Sequence, residues 1–456
     1  MTAETLTITP GYAIQGTVQP PGDKSISHRA ALFAALAGSP AQPGESCFEN
    51  FLVAGVTRAM LDALQVLGVE WRLEGTTLTV RGAGPEGLRQ SARRRHGDAP
   101  ARLDCGHSGT TLRLLAGALA AAGTPAILDG SPGLRRRPMK RIVAPLQQMG
   151  MPIQSAEGYA PLHLGRPAFP LHALDNTLPV ARAQVKSCLL LAALSGDGPT
   201  TLMEPGSSRD HTERMLRAMG VSVEGPIQEG HQYRTRLEPP QPFNLAPLEM
   251  TLPGDFSAAA FLIVAALITP GSDLILQGVN LNPTRTGLLD ALLRMGANIQ
   301  VTPHGEAGGE PTGDLRVRYS QLHAAEISGN LVVRMIDEFP AFGVAAAFAL
   351  GETRVRQAGE LRLKESDRIA ALAGELRKLG ARIVEVEDGF DVTGGSPLLG
   401  AEVHSHGDHR LAMALAVAGL ATQQPVVVHG ADLIAESFPA FPAVLRRLGA
   451  QVTAFE

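Results

Sequence analysis

The sequence predicts a mixed α/β (α+β) protein whose helices form the interior. It is built from six repeated units, divided three and three. Two recurring patterns and one proline-rich stretch carry this expectation. The first pattern is an apolar helix face, then Leu or Met, Gly and strand-like residues. It appears as LDALQVLGVEW, VAPLQQMGMPI, ERMLRAMGVSV, LDALLRMGANI, LAGELRKLGARI and FPAVLRRLGAQV. The glycines are Gly68, Gly150, Gly220, Gly296, Gly380 and Gly449. Each copy predicts an amphipathic helix, a glycine at its C-terminal end and a strand.

The second pattern alternates with the first. It is a polar start followed by an Ala/Leu-rich helix: PGDKSISHRAALFAALAG, CGHSGTTLRLLAGALAAAG, ARAQVKSCLLLAALSG, LPGDFSAAAFLIVAALITPG, IDEFPAFGVAAAFALGE and HGDHRLAMALAVAGLA. These helices are apolar nearly all round, so they belong inside, with the amphipathic set covering them. The stretch RLEPPQPFNL, at 236–245, reads as a linker because adjacent prolines stop regular structure. A second pair, Pro20–Pro21, leaves open which half owns the first strand.

Composition bounds the function. The chain has 456 residues, 44% hydrophobic and 18% charged, with a net charge of −4. That argues against a general polyanion binder but allows a local basic site. Three cysteines form no CxxC, which suits a reducing, cytoplasmic setting. The start MTAETLTITPGYAIQG shows no signal-peptide pattern. The longest apolar stretch, FSAAAFLIVAALIT, is shorter than the roughly 20 residues of a membrane span.

The polar helix starts need a purpose. A helix N-terminus carries unpaired N–H groups and about half a positive charge. Several of them converging make an anion site. Lys24 sits in the opening turn, Ser25 is placed to cap the helix, and Arg29 follows on the same face. The stretch differs from a Walker A loop, because Asp23 stands where that motif needs glycine. CGHSGTTLR offers Ser108, Gly109 and Arg113; SPGLRRRPMKR is dense in cations; RAQVKS offers Arg182, Gln184 and Lys186; SSRDHTER adds Ser208 and Arg209. LRLKESDR and HGDHRLA add Lys364, Arg368 and Arg410. Cations recurring at equivalent points of separate units predict a cleft for substrates with several negative charges. The run Arg93–Arg95 reads instead as solvated surface. Asp337, Glu365 and Asp408 are acids among cations, so each is either a clamp for an arginine or a general acid/base. HSHGDHR invites a metal reading, but no cysteine joins its histidines and a core helix follows, so no metal is expected.

Taken in order, PGDKSISHRA, CGHSGTTLRLLAG, RRRPMKR, RAQVKSCLLLA, LKESDR and GDHRLAM resemble the motifs of the 3-phosphoshikimate 1-carboxyvinyltransferase (5-enolpyruvylshikimate-3-phosphate synthase) family. The resemblance runs from about residue 10 to the end. It implies two similar globules, each of three βαβαββ units with buried parallel helices, an inside-out α/β barrel. The expected division is 21–243 against 1–20 plus 244–456, with the active site in the cleft between them. The implied reaction joins shikimate 3-phosphate and phosphoenolpyruvate and releases phosphate, through a tetrahedral intermediate and without cofactor or metal. The implied partners are these small molecules, with no nucleic acid and no membrane, and the protein is expected to act as a monomer.

By the same resemblance, Lys24, Asp337 and Glu365 are catalytic. Lys24, Ser25, Arg29, Arg182, Ala183, Gln184, Ser208, Arg209, Asp337 and Lys364 bind shikimate 3-phosphate. Lys24, Gly109, Arg137, Gln184, Arg368 and Arg410 bind phosphoenolpyruvate. The family is the target of glyphosate, a phosphoenolpyruvate mimic, and Gly109 keeps the open position of sensitive members. Three positions depart from the pattern. His107 replaces an Asn, Arg182 and Ala183 replace the usual Ser-Ala or Ser-Ser, and Glu436 stands where some members have Lys. One alternative is UDP-N-acetylglucosamine 1-carboxyvinyltransferase, which shares the fold but begins with Lys-Asn and carries a reactive loop cysteine. The other is a non-enzymatic polyanion-binding protein, which would need aromatic platforms that a 4% aromatic chain lacks.

Overall fold

The computed structural model describes residues 4–455. The chain divides into two compact units. The N-terminal unit comprises Gly22–Leu252 with Glu306–Glu310; the C-terminal unit comprises the chain up to Pro21, Pro253–Gly305 and the chain from Pro311 onward.

All six glycines of the first pattern end helices. The helices are Gly55–Val66, Lys140–Gln148, His211–Ala218, Gly287–Arg294, Arg368–Lys378 and Phe441–Arg447. The glycines have φ between 85° and 108°, a left-handed conformation that a β-carbon disfavours. Each lies one residue past the C-cap. The next N–H then reaches back to the last turn, as in Val69 N–H to Leu64 O at 2.9 Å and Ala381 N–H to Leu376 O at 3.0 Å. This closure leaves the chain aimed to start a strand.

Among the described residues the strands form six four-stranded sheets, three in each unit. Each sheet joins one parallel pair to antiparallel neighbours, the mixed pattern of a βαβαββ unit. The first strand, Thr5–Thr9, lies antiparallel between Val426–His429 and Gln451–Phe455, so it belongs to the C-terminal unit.

The second pattern supplies the interior. Lys24–Ala35, Gly109–Ala122 and Ala183–Ala193 are the buried helices of the N-terminal unit; Phe256–Ile268, Phe339–Phe348 and His409–Ala418 are those of the C-terminal unit. Each unit has its own hydrophobic core. Small residues let these helices approach closely. A β-carbon on Gly117 would come within 2.1 Å of the Cys188 carbonyl oxygen, so only glycine fits there.

Two expectations are corrected. The boundary falls at 252/253 rather than 243/244, because Glu249–Thr251 returns to pair with Cys47–Glu49 in the N-terminal unit. The hairpin tip Glu306–Glu310 also belongs to that unit, where Glu310 Oε1 lies 2.7 Å from His211 Nδ1. The cap of the first helix is Asp23, not Ser25. Its carboxylate accepts the N–H groups of Ser25 and Ile26 at 2.8 and 3.0 Å. Among the described residues no helix is long and apolar enough to cross a membrane.

Candidate active site

In the N-terminal unit the polar starts of the three buried helices meet. His28 Nε2 lies 3.1 Å from Ser108 Oγ, linking the Lys24 helix to the Gly109 helix. Gln184 accepts from Arg113 at 2.6 Å and donates to Thr110 Oγ1 at 2.8 Å, linking the Ala183 helix to the Gly109 helix. Arg29 ties the Lys24 helix to the Ala183 helix and to the loop-helix that follows. Its guanidinium donates to Ser187 Oγ at 2.6 Å, Thr212 Oγ1 at 2.8 Å and Ser25 O at 2.8 Å. Three N-terminal dipole ends therefore share one region.

Burial tunes the groups there. It lowers Arg29 from its ordinary value to about 10, so the side chain stays charged at neutral pH. It lowers His28 to about 4, so that imidazole is neutral. Lys24, Ser25, Arg182, Ala183, Gln184 and Arg209 remain partly exposed, while Ser208 is buried. Arg137 stands beside Gly109: a β-carbon there would lie 3.3 Å from Arg137 Nη1 and 2.8 Å from Arg113 Nη1.

Lys186 departs from its expected role as a site cation. It is fully buried and paired with Glu204 at 2.9 Å and Glu213 at 2.8 Å. Burial alone would lower its pKa; the two carboxylates outweigh that and raise it. Arg135, from the basic run, pairs with Asp129, whereas Arg93–Arg95 lie on an exposed helix face.

The C-terminal unit gathers the acids with their cations. Asp337 precedes the Phe339 helix. Its carboxylate receives Lys364 Nζ at 3.2 Å and Arg368 Nη1 at 3.2 Å, with Arg410 Nη2 at 4.0 Å. Arg368, 2% exposed, also donates to Asp408 at 2.7 Å and Glu365 at 2.8 Å. Burial would lower Arg368, but Asp408, Glu365 and Asp337 together raise it. Burial would raise Asp408, but Arg368 holds it below the usual carboxylate range. Asp408 also caps the His409 helix by accepting the Arg410 N–H at 2.9 Å.

The departures are also placed. His107 is exposed, with Nδ1 3.0 Å from Ser131 Oγ. Glu436 ends the short turn of helix Ala431–Glu436 and is half-buried. His406 of the histidine run meets Glu375 at 2.6 Å. Among the described residues no group of three or more His, Cys, Asp or Glu side chains is placed to hold a metal. Cys105 and Cys188 are buried, and burial pushes the Cys188 thiol up to about 12, far from a reactive thiolate.

No local pattern marks the second layer behind these residues: Glu204 and Glu213, Thr212 and Ser187, and the buried trio Asp255, Arg285 and Glu338. Each residue type alone reads as surface or solvent-facing. Only its partner, distant in sequence, shows that it is buried.

The fold is that of the enolpyruvyl transferases. The chain is similar to the solved EPSP synthase of Acinetobacter baumannii, with a TM-score of 0.84, 38% identity and coverage of 98% of this chain and 99% of that one. It shares the fold alone with the enolpyruvyl transferase NikO of Streptomyces tendae, at a TM-score of 0.74 and 20% identity. The EPSP synthase (3-phosphoshikimate 1-carboxyvinyltransferase) family pattern matches residues 8–445. The 3-phosphoshikimate 1-carboxyvinyltransferase of Desulforudis audaxviator is 46% identical over 449 residues, covering 97% of this chain and 99% of that protein. The chain belongs to the EPSP synthase family.

Proposed function

We infer that the chain, as a carboxyvinyltransferase of the shikimate pathway, transfers the enolpyruvyl group of phosphoenolpyruvate to the 5-hydroxyl of shikimate 3-phosphate. Family membership supports the reaction, and the two clusters support a division of labour. Lys24, Ser25, Arg29, Arg182, Gln184, Ser208 and Arg209 hold shikimate 3-phosphate, with backbone contact at Ala183. Gly109, Arg137, Arg368 and Arg410 contact phosphoenolpyruvate, with Lys24 and Gln184 serving both substrates. Asp337 and Lys364 face the 5-hydroxyl.

In the addition step the 5-hydroxyl loses its proton to Asp337 and its oxygen bonds to C2 of phosphoenolpyruvate. Glu365 delivers a proton to C3, giving a tetrahedral intermediate with a methyl group. In the elimination step a methyl proton returns to Glu365, the C2–O bond to phosphate breaks, and the proton held by Asp337 passes to the departing oxygen, so that phosphate leaves as the monohydrogen ion and Asp337 is regenerated. Carboxylates suit these transfers when neighbours tune their protonation. The observation that carries this reading is Asp337 within 3.2 Å of both Lys364 and Arg368, one arm from Glu365.

The same reading has the two units serving one reaction in a cytoplasmic monomer that binds no nucleic acid. Phosphate release from shikimate 3-phosphate plus phosphoenolpyruvate is the test. Release only when UDP-N-acetylglucosamine replaces the shikimate substrate would favour the sister activity. No release with either would leave a binding protein.

A further inference from the structure

Behind the proposed phosphate contacts of the N-terminal unit lies a buried charge cluster that the reaction does not use. Glu204 is 1% exposed. Its Oε1 accepts the Arg182 backbone N–H at 3.1 Å, and both its oxygens lie 2.8 Å from the Ser208 hydroxyl. Lys186 Nζ sits 2.9 Å from Glu204 Oε2 and 2.8 Å from Glu213 Oε1, and donates to the Ser208 carbonyl at 3.3 Å. One carboxylate therefore fastens the start of the Ala183 helix to the loop that bears Ser208. One ammonium holds that carboxylate, the loop backbone and the following helix together.

We propose that Glu204, neutralised by Lys186, is a positioning residue for the 3-phosphate of shikimate 3-phosphate, acting through Ser208 and the Arg182 backbone. The proposal rests on the reading that Ser208 and Arg182 meet that phosphate. A lone carboxylate behind the site would repel a phosphate dianion; the Lys186 charge cancels that field. Lys186 also reaches Glu213 Oε1 at 2.8 Å, so the ammonium is shared between two buried carboxyls, and burial pushes the Glu213 carboxyl up.

A serine has one hydroxyl proton to donate. In the empty site Ser208 gives it to Glu204. When phosphate arrives, the side chain turns about its Cα–Cβ bond, carrying Oγ away from Glu204, and donates to a phosphate oxygen. Glu204 keeps Lys186 and the Arg182 N–H, so it is not left bare. The loop is thus ordered before the substrate binds, and less of the binding energy goes into ordering it.

The test compares Ser208→Ala, Glu204→Gln and the double variant. It uses steady-state kinetics with both substrates and competitive inhibition by shikimate, which lacks the phosphate. Ser208→Ala should raise the KM for shikimate 3-phosphate by about tenfold, the scale of one hydrogen bond to a charged group. Glu204→Gln should raise it by a similar factor. Its kcat, its KM for phosphoenolpyruvate and its inhibition constant for shikimate should stay near wild type. The double variant should be no worse than the poorer single one. Glu204→Asp retracts the carboxylate but keeps its charge for Lys186, and should show the same split if the Gln variant does not fold.

An unchanged KM in Ser208→Ala overturns the reading of Ser208 as a phosphate contact, and the proposal with it. A raised KM in Ser208→Ala overturns the Glu204 role alone if the folded Glu204 variants keep the wild-type KM. Additive losses in the double variant do the same, as does an equal loss of shikimate and shikimate 3-phosphate binding.

Discussion

Arg29 and Arg368 are both 2% exposed, one in each unit, and their surroundings are opposite. The hydrogen-bond partners of Arg29 are two hydroxyls and a carbonyl, all neutral. Those of Arg368 are three carboxylates. At Arg29 burial outweighs the pull of Glu213, Asp23 and Glu310, whereas at Arg368 the acids in contact outweigh burial. A buried cation braced by neutral groups keeps its field for an arriving anion. A buried cation already neutralised holds its acids in position, and it releases one when another anion takes its place. The first arrangement suits binding, and the second suits proton transfer.

The helix starts PGDKS and PGDFS show the same divergence. Both aspartates cap their helix through the N–H groups two and three residues on. In PGDFS, Phe256 is buried, Ser257 donates to Glu338, and Arg285 joins Asp255 at 2.7 Å and Glu338 at 3.6 Å. There the protein's own carboxylate fills the helix start. In PGDKS, Lys24 and Ser25 stay partly open.

The largest effects should come from the acids. Asp337→Ala and Glu365→Gln should each lower kcat by about a hundredfold or more, the usual scale for general acid/base groups. The two arginines should then part company. Arg368→Met strands three carboxylates and should cost about 3–5 kcal/mol of folding stability, read by denaturant unfolding. Arg29→Met leaves Thr212 and Ser187 bonded to each other at 2.7 Å. It should spare most of the stability yet raise the KM for shikimate 3-phosphate by about tenfold or more. Equal stability losses in the two variants would erase the contrast.

Next in size is a pH effect on the binding half. In the fold His28 is neutral down to about 4, against 6.5 for an ordinary imidazole. Between those values the unfolded chain binds the extra proton, so stability rises with pH across the window. It is intact above pH 6.5 and is lost as the pH falls toward 4, by ~3 kcal/mol in all. Thermal melts of His28→Gln should show a shallower acid limb. The smallest effect belongs to Gly109→Ala. Its methyl presses on Arg113 and Arg137. It should raise the KM for phosphoenolpyruvate by roughly tenfold, an overpacking cost of 1–2 kcal/mol, with glyphosate inhibition weakened alongside.

The repeat was legible because its signals are local. A left-handed glycine after an amphipathic helix, and an all-apolar helix after a polar start, need no knowledge of distant partners. The return of Glu249–Thr251 to the Cys47–Glu49 strand was not legible, since three residues carry no period. Lys186 read as a ligand cation because its sequence neighbours are polar; Glu204 and Glu213, which neutralise it, lie well downstream. The cap is ambiguous from sequence because Asp23 and Ser25 both suit that position, and only the backbone shows which carries the Ser25 and Ile26 N–H groups.

In the proposed reaction the carboxylates on Arg368 move protons and the cations around Arg29 hold substrate. Solvent exchange of the phosphoenolpyruvate methylene hydrogens in Glu365→Gln, followed by magnetic resonance, tests it most directly, with shikimate 3-phosphate binding measured by calorimetry on the same sample. Binding should stay near wild type and exchange should fall in step with kcat. Exchange at the wild-type rate would contradict this, leaving Glu365 as a clamp for Arg368 and Lys24 as the next candidate proton donor.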